Sequence, residues 1–357
     1  VRIMAYTTID DPSAYFQIAL YAGNGTGQTI TNDGNSDLKP DFLWFKNRSE
    51  TVAHTLWDSN RGITKFLVSN DTAGEYTNAS GYELTSFNTD GFGLGGHNNA
   101  GINQSASYNY VAWQWKVNGG TTTSLSSNIN SVCQVNQDAG ISIVKYTCTG
   151  GGNGQAVQHG LGLVPQVIVT KNRTDTSYSD WITYHHSIGY TNFLKLNTTG
   201  AQAGSSPYNG GEPTNLTYNV SIDLVEATKD YVSYVFAPIQ GYSHFGSYLG
   251  NQNALGPMVY TGFKPAFVMV KCATAAGSEW QIYDNKRPGY NFPNYNLSPN
   301  NNTAEYTGES YHNMDLLSNG FRPLLTDVAV NKSKQTYIYM AFAENPFVTS
   351  TGIPTTA

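Results

Sequence analysis

A glycine-rich stretch of the chain has the spacing of a dinucleotide-binding loop. Gly91-Phe-Gly-Leu-Gly-Gly96 matches the pattern Gly-x-Gly-x-x-Gly. That pattern holds a pyrophosphate only where it joins a strand to the N-terminus of a helix. The residues that follow, His97-Asn-Asn-Ala-Gly101, do not begin a helical pattern. We therefore interpret the stretch as a glycine-rich β turn and expect no cofactor.

Two further patterns resemble metal sites but lack the residues that such sites require. Asp33-Gly-Asn-Ser-Asp37 alternates oxygen ligands like a calcium loop, but Leu38 and Trp44 stand where that loop needs Gly and Glu. His185 and His186 are adjacent, and adjacent residues of a strand point to opposite faces. We predict an Asx-rich turn at the first position and no metal at either.

The cysteines do not form a recognisable framework. Cys133, Cys148 and Cys272 are an odd number and lack the paired short spacing of a zinc site. A Cys133–Cys148 bridge is one alternative, but the odd count and the wide spacing favour buried free thiols. The fold is therefore expected to depend on packing.

Catalytic residues do not stand out in the sequence. It contains no Gly-x-Ser-x-Gly nucleophile elbow. A glycosidase needs two carboxylates, but four acidic residues considered for that role show no informative spacing: Glu75, Glu226, Glu305 and Glu309. We predict a protein that is not an enzyme.

Aromatic residues suggest ligand binding only where they lie in loops. Five of the tryptophans fall within apolar strand-like runs, where a core position is expected: Trp44, Trp113, Trp115, Trp181 and Trp280. Loops on a rigid scaffold carry recognition more often than sheets do. We therefore predict that Tyr208, Tyr290 and Tyr295, in loops rich in Gly, Pro and Asn, bind a ligand such as a glycan.

The elements that would position these residues recur along the chain. A proline, five mostly apolar residues and a lysine occur three times, at Pro40–Lys46, Pro165–Lys171 and Pro265–Lys271. After each copy come an aromatic stretch and then a longer apolar run. The aromatic stretches are His54–Asp58, Trp181–His185 and Trp280–Asp284, and the longer runs are Tyr110–Trp115, Tyr231–Phe236 and Tyr337–Phe342. Such runs, bounded by Gly, Asn, Asp and Ser, are typical of strands.

The repeat spacing of roughly 100–125 residues exceeds that of a solenoid and is the size of a domain. We predict an all-β protein of three tandem related β-sandwich modules, jelly-roll or lectin-like, of about 100 residues each. The predicted modules are residues 14–118, 139–243 and 244–347, with an N-terminal arm at 1–13, a Gly/Ser/Thr linker at 119–138 and a tail at 348–357. The linker predicts a hinged first module, and its absence later predicts that the second and third pack together.

Composition excludes several classes of function. The net charge is −6, charged residues make up 12%, and Lys and Arg are scattered singly, so we expect no nucleic-acid binding. No apolar stretch reaches the ~18–20 residues that a membrane-spanning helix needs. The N-terminus lacks the apolar segment of a secretory signal.

Several phrases together resemble repeat-bearing structural proteins of tailed bacteriophages, especially those of marine and cyanobacterial hosts. The similar phrases are Met4–Pro12, Thr31–Leu38 with Pro40-Asp41, Lys46–Ser49, Asp58–Gly62, Phe87–Phe92, Tyr110–Trp113, Val259–Pro265 and Met340–Phe347. They span nearly the whole chain, and Met4 corresponds to the usual start of that family. The resemblance carries no assigned catalytic or ligand residues.

The resemblance implies a virion component that is assembled in the host cytoplasm, is extracellular after lysis and forms a homo-oligomer. The first expectation is a fibre or appendage protein that mediates adhesion to a host-surface polysaccharide. The alternative is a decoration protein of the capsid or tail, which binds other virion proteins. A polysaccharide-degrading enzyme is the third alternative.

Overall fold

Short apolar strands form almost all of the regular structure. The computed structural model describes residues 6–148, 150, 152–175, 179–221, 224–288, 291, 294–308 and 313–355. Over these residues, 26 strands form six antiparallel sheets, and the only helices are 3-10 turns at Pro12–Ala14 and His186–Ile188. The all-β prediction is confirmed.

The six sheets form three pairs, each with one large and one small sheet. The strands of the first pair are β1 Phe16–Ala22, β2 Gln28–Ile30, β3 Phe42–Asn47, β4 Thr55–Asp58, β5 Lys65–Val68, β6 Tyr76–Thr77, β7 Leu84–Phe87, β8 Phe92–Leu94 and β9 Asn109–Trp115. The large sheet has the order β1-β9-β3-β4-β5-β6 and the small sheet β2-β8-β7.

The second and third pairs follow in the chain. The second consists of β10 Thr123–Leu125, β11 Ser131–Asn136, β12 Ile141–Thr147, β13 Gln155–Gln158, β14 Val167–Asn172, β15 Ile182–His185, β16 Asn192–Lys195, β17 Ala203–Gly204, β18 Thr217–Val220 and β19 Asp230–Phe236. The third consists of β20 Ser243–Leu249, β21 Val259–Tyr260, β22 Phe263–Cys272, β23 Gln281–Asp284, β24 Met314–Leu317, β25 Gly320–Pro323 and β26 Thr336–Pro346. The orders are β10-β11-β12-β19-β14-β15-β16-β17 with β13-β18, and β20-β26-β22-β23 with β21-β25-β24.

The large sheets share one arrangement of four strands. The orders β1-β9-β3-β4, β12-β19-β14-β15 and β20-β26-β22-β23 are equivalent. Their registers also agree, because the last aromatic residue of the central strand pairs with equivalent residues on both sides. These triplets are Phe16–Trp115–Phe42, Ile141–Phe236–Val167 and Ser243–Phe342–Phe267. Residues of the three pairs can therefore be compared position by position.

The central strands are nearly continuously apolar because both of their faces are buried. In β3, Phe42 and Trp44 lie in one hydrophobic cluster, whereas Leu43 and Phe45 lie in another, between the two sheets of the first pair. Successive side chains of a strand point to opposite faces, so one strand can supply both clusters. The second and third pairs each have an equivalent cluster of their own.

The other cluster is common to all three sheet pairs. It contains side chains from all three large sheets, and aromatic rings meet within it: Phe42 and Tyr234 have centroids 4.3 Å apart, and Phe16 and Phe342 have centroids 5.3 Å apart. The expected hinge before the second module is therefore wrong, since the first sheet pair packs on both of the others through buried rings.

Residues 119–138, predicted as a linker, instead contain β10 and β11. β11 pairs antiparallel with β12 over its whole length and so extends the second large sheet. The segment is rich in Ser and Asn, but Cys133 is fully buried in the cluster of the second pair. Packing against that cluster fixes a strand that composition alone does not indicate.

Asp90-Gly91 and Asn319-Gly320 are dipeptides typical of tight hairpin turns, and in both turns a neighbouring backbone carbonyl, of Ile30 or of Val259, lies where a glycine Cβ would stand. Gly91 joins β7 to β8 with φ 87°, a conformation that glycine adopts readily. Gly320 begins β25, and its φ is not in the positive range. A side chain there would place its Cβ 2.0 Å from the Val259 carbonyl oxygen, so glycine is required by a close approach of two backbones.

Candidate functional site

Each sheet pair contacts the next at the end of β4 or of its equivalents, β15 and β23. The three contacts close a ring, and we call them junctions 1–2, 2–3 and 3–1 after the sheet pairs that they join. At junction 1–2, Asp58 ends β4 and its Oδ2 lies 2.5 Å from Arg61 Nε. Tyr234 of the second pair donates its hydroxyl to the same oxygen at 2.8 Å. Glu75 completes the network, with its Oε2 3.2 Å from Arg61 Nη1 and 2.8 Å from Arg173 Nε.

Junction 3–1 repeats this network. Asp284 ends β23, its Oδ2 is 2.7 Å from Arg287 Nε, and Trp113 of the first pair donates its indole N–H to that oxygen at 2.9 Å. Glu305 lies 2.9 Å from Arg287 Nη1 and 2.7 Å from Arg48 Nη2. The Asp and Arg side chains are fully buried at both junctions, so each charge depends on its partners.

Junction 2–3 keeps the backbone geometry but has lost the ion pairs. Gln202 N–H donates to the Ala273 carbonyl at 2.7 Å, as Glu75 does to Arg173 at 2.8 Å and Glu305 does to Arg48 at 2.9 Å. His185 stands where the other junctions have Asp, and its Nε2 lies 3.1 Å from the Tyr339 carbonyl oxygen. This junction is therefore held without a buried Asp–Arg ion pair.

The loss follows from one residue on the facing strand. Met340 occupies the position of Tyr234 and Trp113, as the shared register of the central strands shows. A methionine cannot donate a hydrogen bond to a carboxylate. A buried Asp at position 185 would therefore lack the side-chain donor that Tyr234 and Trp113 supply at the other junctions, whereas His185 can bond to the backbone of the facing strand.

The pKa shifts follow from these partners. Burial alone would lower the pKa of Arg61, but Asp58, Tyr234 and Glu75 raise it, so the guanidinium stays charged. Burial would raise the pKa of Glu75, but Arg173 and Arg61 bring it below its usual value. At junction 2–3 the pKa of His185 is lowered to about 3, chiefly by burial and in part by the neighbouring His186 and His244.

The lysine that ends each repeated phrase is buried at each junction. Lys46 donates to the Glu50 carbonyl at 3.2 Å, Lys171 donates to the Thr72 carbonyl at 2.9 Å, and Lys271 donates to the Ser278 carbonyl at 2.9 Å. Thr72 belongs to the neighbouring sheet pair. Burial lowers the pKa of these lysines to about 7, 8 and 8 in the same order. Their recurrent role is to bind loop carbonyls.

Equivalent clefts at the rims of the junctions differ in what covers them. At junction 1–2, β11 lies beside β12, and the Gln134 side chain donates to Ser59 Oγ at 2.9 Å. At junction 3–1, a cleft of about 390 Å³ is bordered by the loop at Asp33, which the 2.9 Å ion pair to Lys286 holds in place.

At junction 2–3 the cleft is larger, about 580 Å³, and we call it the open cleft. Its walls are Gln166, His186 and Ser187 on one side, and Ser243–Ser247 and Tyr260 on the other. The described residues that line it include no Asp, Glu, Lys or Arg. Its polar groups are hydroxyls, amides and imidazoles, which suit an uncharged ligand.

The predicted tyrosines do not form a common site. The Tyr208 prediction is wrong: its ring is 2% exposed, and its hydroxyl donates to Thr170 Oγ1 at 2.8 Å, inside the cluster of the second pair. Tyr290 lies outside the described residues, and Tyr295 is half-buried. Tyr260, which the sequence did not single out, is 55% exposed at the open cleft, with its hydroxyl 3.3 Å from that of Tyr6.

Two of the carboxylates considered for acid/base chemistry lie in the ion networks. Glu75 and Glu305 each contact two arginines and belong to different junctions. Glu309 lies outside the described residues. In the described part of the chain, no group of three or more His, Cys, Asp or Glu residues could hold a metal ion. The three cysteines are free and buried, as the odd count predicts.

The sequence did contain a signal for the missed networks. The spacing Asp-x-x-Arg occurs at Asp58–Arg61 and again at Asp284–Arg287, and each Asp is the last residue of the aromatic stretch of its repeat. The second copy has His185 and Ile188 at these positions. Recognising the pairs would have required knowing that the ends of these strands are buried against another sheet pair.

No helix among the described residues is long and apolar enough to cross a membrane. A family model described as a domain of unknown function, DUF7483, matches residues 11–346, which covers all three sheet pairs. No curated protein and no solved structure shows a significant match to the chain.

Proposed function

Since this chain belongs to the DUF7483 family, whose description assigns no activity, we propose from its own residues that it is a structural protein on the surface of a bacteriophage particle. It acts by binding and not by catalysis. One observation carries this proposal: the ion networks at two junctions are buried and internally paired, while the third junction leaves an open, uncharged cleft beside a free sheet edge. The resemblance of the sequence phrases to phage structural proteins supports the particle surface as its location.

The finer architecture is part of the same proposal. The three sheet pairs are tandem β-sandwich modules, jelly-roll or lectin-like, of about 100 residues each. Support comes from the strand order and register, which repeat three times. An experimental structure that fails to show one topology in all three modules would contradict this assignment.

The role that the geometry supports best is decoration, through contacts with other virion proteins. Adhesion was the first expectation from sequence, but it depended on exposed loop tyrosines, and Tyr208 is buried. β20, in contrast, has no neighbouring strand on one side among the described residues, and such an edge can pair with another chain. Association of several copies remains a prediction, which sedimentation of the purified chain would test.

Localisation on intact particles tests the proposed function. Cryo-electron microscopy of phage particles whose genome encodes this chain should show its density on the capsid lattice or along the tail. Density only at fibre tips would favour adhesion instead. Absence of the chain from purified particles, measured by mass spectrometry, would contradict both roles.

A specific observation favours adhesion as the second candidate function. Tyr260 presents an exposed ring at the open cleft, and Tyr6 lies beside it with its hydroxyl 2.8 Å from the Gly262 carbonyl oxygen. Exposed aromatic rings with nearby hydroxyls are suited to apolar faces of sugars. Binding of host-surface polysaccharide that is lost in Tyr260→Ala and kept in Tyr208→Phe would support this role.

A further inference from the structure

β20 is the outermost strand of the third large sheet. The Ala343 N–H donates to the Tyr242 carbonyl at 2.8 Å, and the Gly250 N–H donates to the Gln335 carbonyl at 2.9 Å. In an antiparallel pair, alternate residues bond to the partner strand. The even-numbered residues of β20 therefore bond to β26, and the backbone groups of the odd-numbered residues point away from the sheet.

The outward groups lie along the open cleft. Phe245 has its carbonyl oxygen 3.0 Å from the Nε2 of His186, an exposed side chain. Ser247 is exposed and Leu249 is 60% exposed. Within the described chain, no other residue bonds to the backbone N–H groups of Ser247 and Leu249. This edge thus offers donors and acceptors that an extended chain can use.

At junction 1–2, the equivalent edge belongs to β12, and another strand of this chain, β11, covers it. β11 pairs with β12, and Gln134 stands opposite Ile143. Its side chain bonds to Ser59, while Asn60 Nδ2 donates to the Val132 carbonyl at 3.3 Å. Sheet pairing and these side-chain contacts together hold β11 in the cleft.

The registers map this arrangement onto the open cleft. Phe245 corresponds to Ile143, because Ser243 and Ile141 pair with equivalent residues of the central strands. His186 corresponds to Ser59, because it follows His185 as Ser59 follows Asp58. The third sheet pair therefore contains the surface that β11 covers in the second, and no described strand covers it. Among the described residues, Ile239 pairs with one end of this edge, where its carbonyl accepts from the Ser243 N–H at 2.9 Å.

We propose that β20 is a strand-addition site, which takes an extended peptide of another virion protein as an antiparallel strand. Main-chain hydrogen bonds would provide affinity in this mode of binding. The peptide residue opposite Phe245 would be Gln, Asn, Asp or Glu, because its side chain must accept a hydrogen bond from His186 once the imidazole leaves the Phe245 carbonyl. The identity of the partner as a virion protein rests on the proposed function, whereas the site itself does not.

The first test uses β11 as the probe. A labelled synthetic peptide with the sequence of residues 129–137, with Ser in place of Cys133, is titrated against the full chain by fluorescence anisotropy. Ser247→Pro removes an outward N–H without removing a bond to β26. Leu20→Pro is the matched control, since Leu20 lies on β1, the equivalent free edge of the first sheet, and also points its N–H outward.

We expect the peptide to bind the wild-type chain and Leu20→Pro equally, and to bind Ser247→Pro about tenfold more weakly or worse. No binding to the wild-type chain would overturn the proposal. Binding that Ser247→Pro leaves unchanged would also overturn it, because the peptide would then be replacing β11 on its own sheet.

A second measurement does not depend on the folding of a variant. Hydrogen exchange of the wild-type chain should show that the peptide slows exchange in residues 243–250 and leaves residues 141–147 unchanged. Protection by host-surface polysaccharide alone, with none from the peptide, would make the cleft a saccharide site and overturn strand addition. Absence of the chain from particles, with peptide binding retained, would instead contradict only the proposed function.

Discussion

Junctions 1–2 and 2–3 have the same backbone contacts but different side chains. The first buries Asp58 and Arg61 with Glu75 and Tyr234, and the second has His185 against a backbone carbonyl. A buried ion pair is costly to desolvate and stabilises only while every partner is present. The same backbone geometry can therefore hold either a buried ion network or a neutral histidine. Only the ion network should lose much stability when one of its residues is replaced.

The largest expected effect is the removal of one buried charge at junction 1–2. Arg61→Met leaves Asp58 buried without its cation, so we expect the free energy of unfolding to fall by about 3–5 kcal/mol. Ile188→Met, at the equivalent position of junction 2–3, is the control and should cost less than about 1.5 kcal/mol. Urea denaturation measures both, and equal losses would contradict the difference between the junctions.

Introducing a buried carboxylate at junction 2–3 should lower the stability of the protein. His185→Asp places a carboxylate opposite Met340, which provides no donor, and we expect a loss of about 1–3 kcal/mol at neutral pH. His185→Asn, which carries no charge, is the matched control and should cost less. The Asp variant should recover part of the loss in acid, where its carboxyl is protonated. A variant as stable as the wild type would show that Met340 does not decide the residue at position 185.

Acid should weaken junction 2–3 before the carboxylates elsewhere are protonated. The pKa of His185 is lowered from 6.5 to about 3, so the unfolded chain binds a proton that the folded chain does not, and stability falls as the pH drops below 6.5. Between pH 6.5 and 5, this residue should account for about 1.5 kcal/mol. The wild type should therefore lose more stability than His185→Asn by that amount, and parallel curves would contradict the assignment.

A smaller pH effect should appear above pH 7 and should come from the buried lysines. The pKa of Lys46 is lowered from 10.5 to about 7 by burial, so stability should rise with pH above 7, by about 1 kcal/mol up to pH 8. Lys46→Met should lack this rise. Lys39→Met, on a surface lysine of the same sheet pair, is the control and should keep it.

The sequence predicted the repeated strands well because their apolar patterns are local. The phrase ending in Lys46, Lys171 and Lys271 marks β3, β14 and β22, the equivalent strands of the three large sheets. β11 was missed because its polar composition conceals Cys133, which packs in a cluster formed by distant strands. Local composition does not report such contacts.

The junctions could not be predicted for a related reason. Asp58 meets Tyr234 across a large separation in sequence, and the replacement of Tyr234 by Met340 in the third repeat has meaning only once these strands face each other. Tyr208 was misplaced because a loop rich in Gly and Pro suggested exposure, whereas its hydroxyl bonds inside a core. Tertiary packing decided both cases.

Hydrogen exchange at two pH values tests the central claim most directly. Residues 182–188 and 336–342 form junction 2–3, and the equivalent residues 55–61 and 230–236 form junction 1–2. After correction for the intrinsic effect of pH on exchange, protection at junction 2–3 should be lower and should fall between pH 7 and 5, while junction 1–2 stays protected. Equal protection at both junctions, or an earlier loss at junction 1–2, would contradict the account.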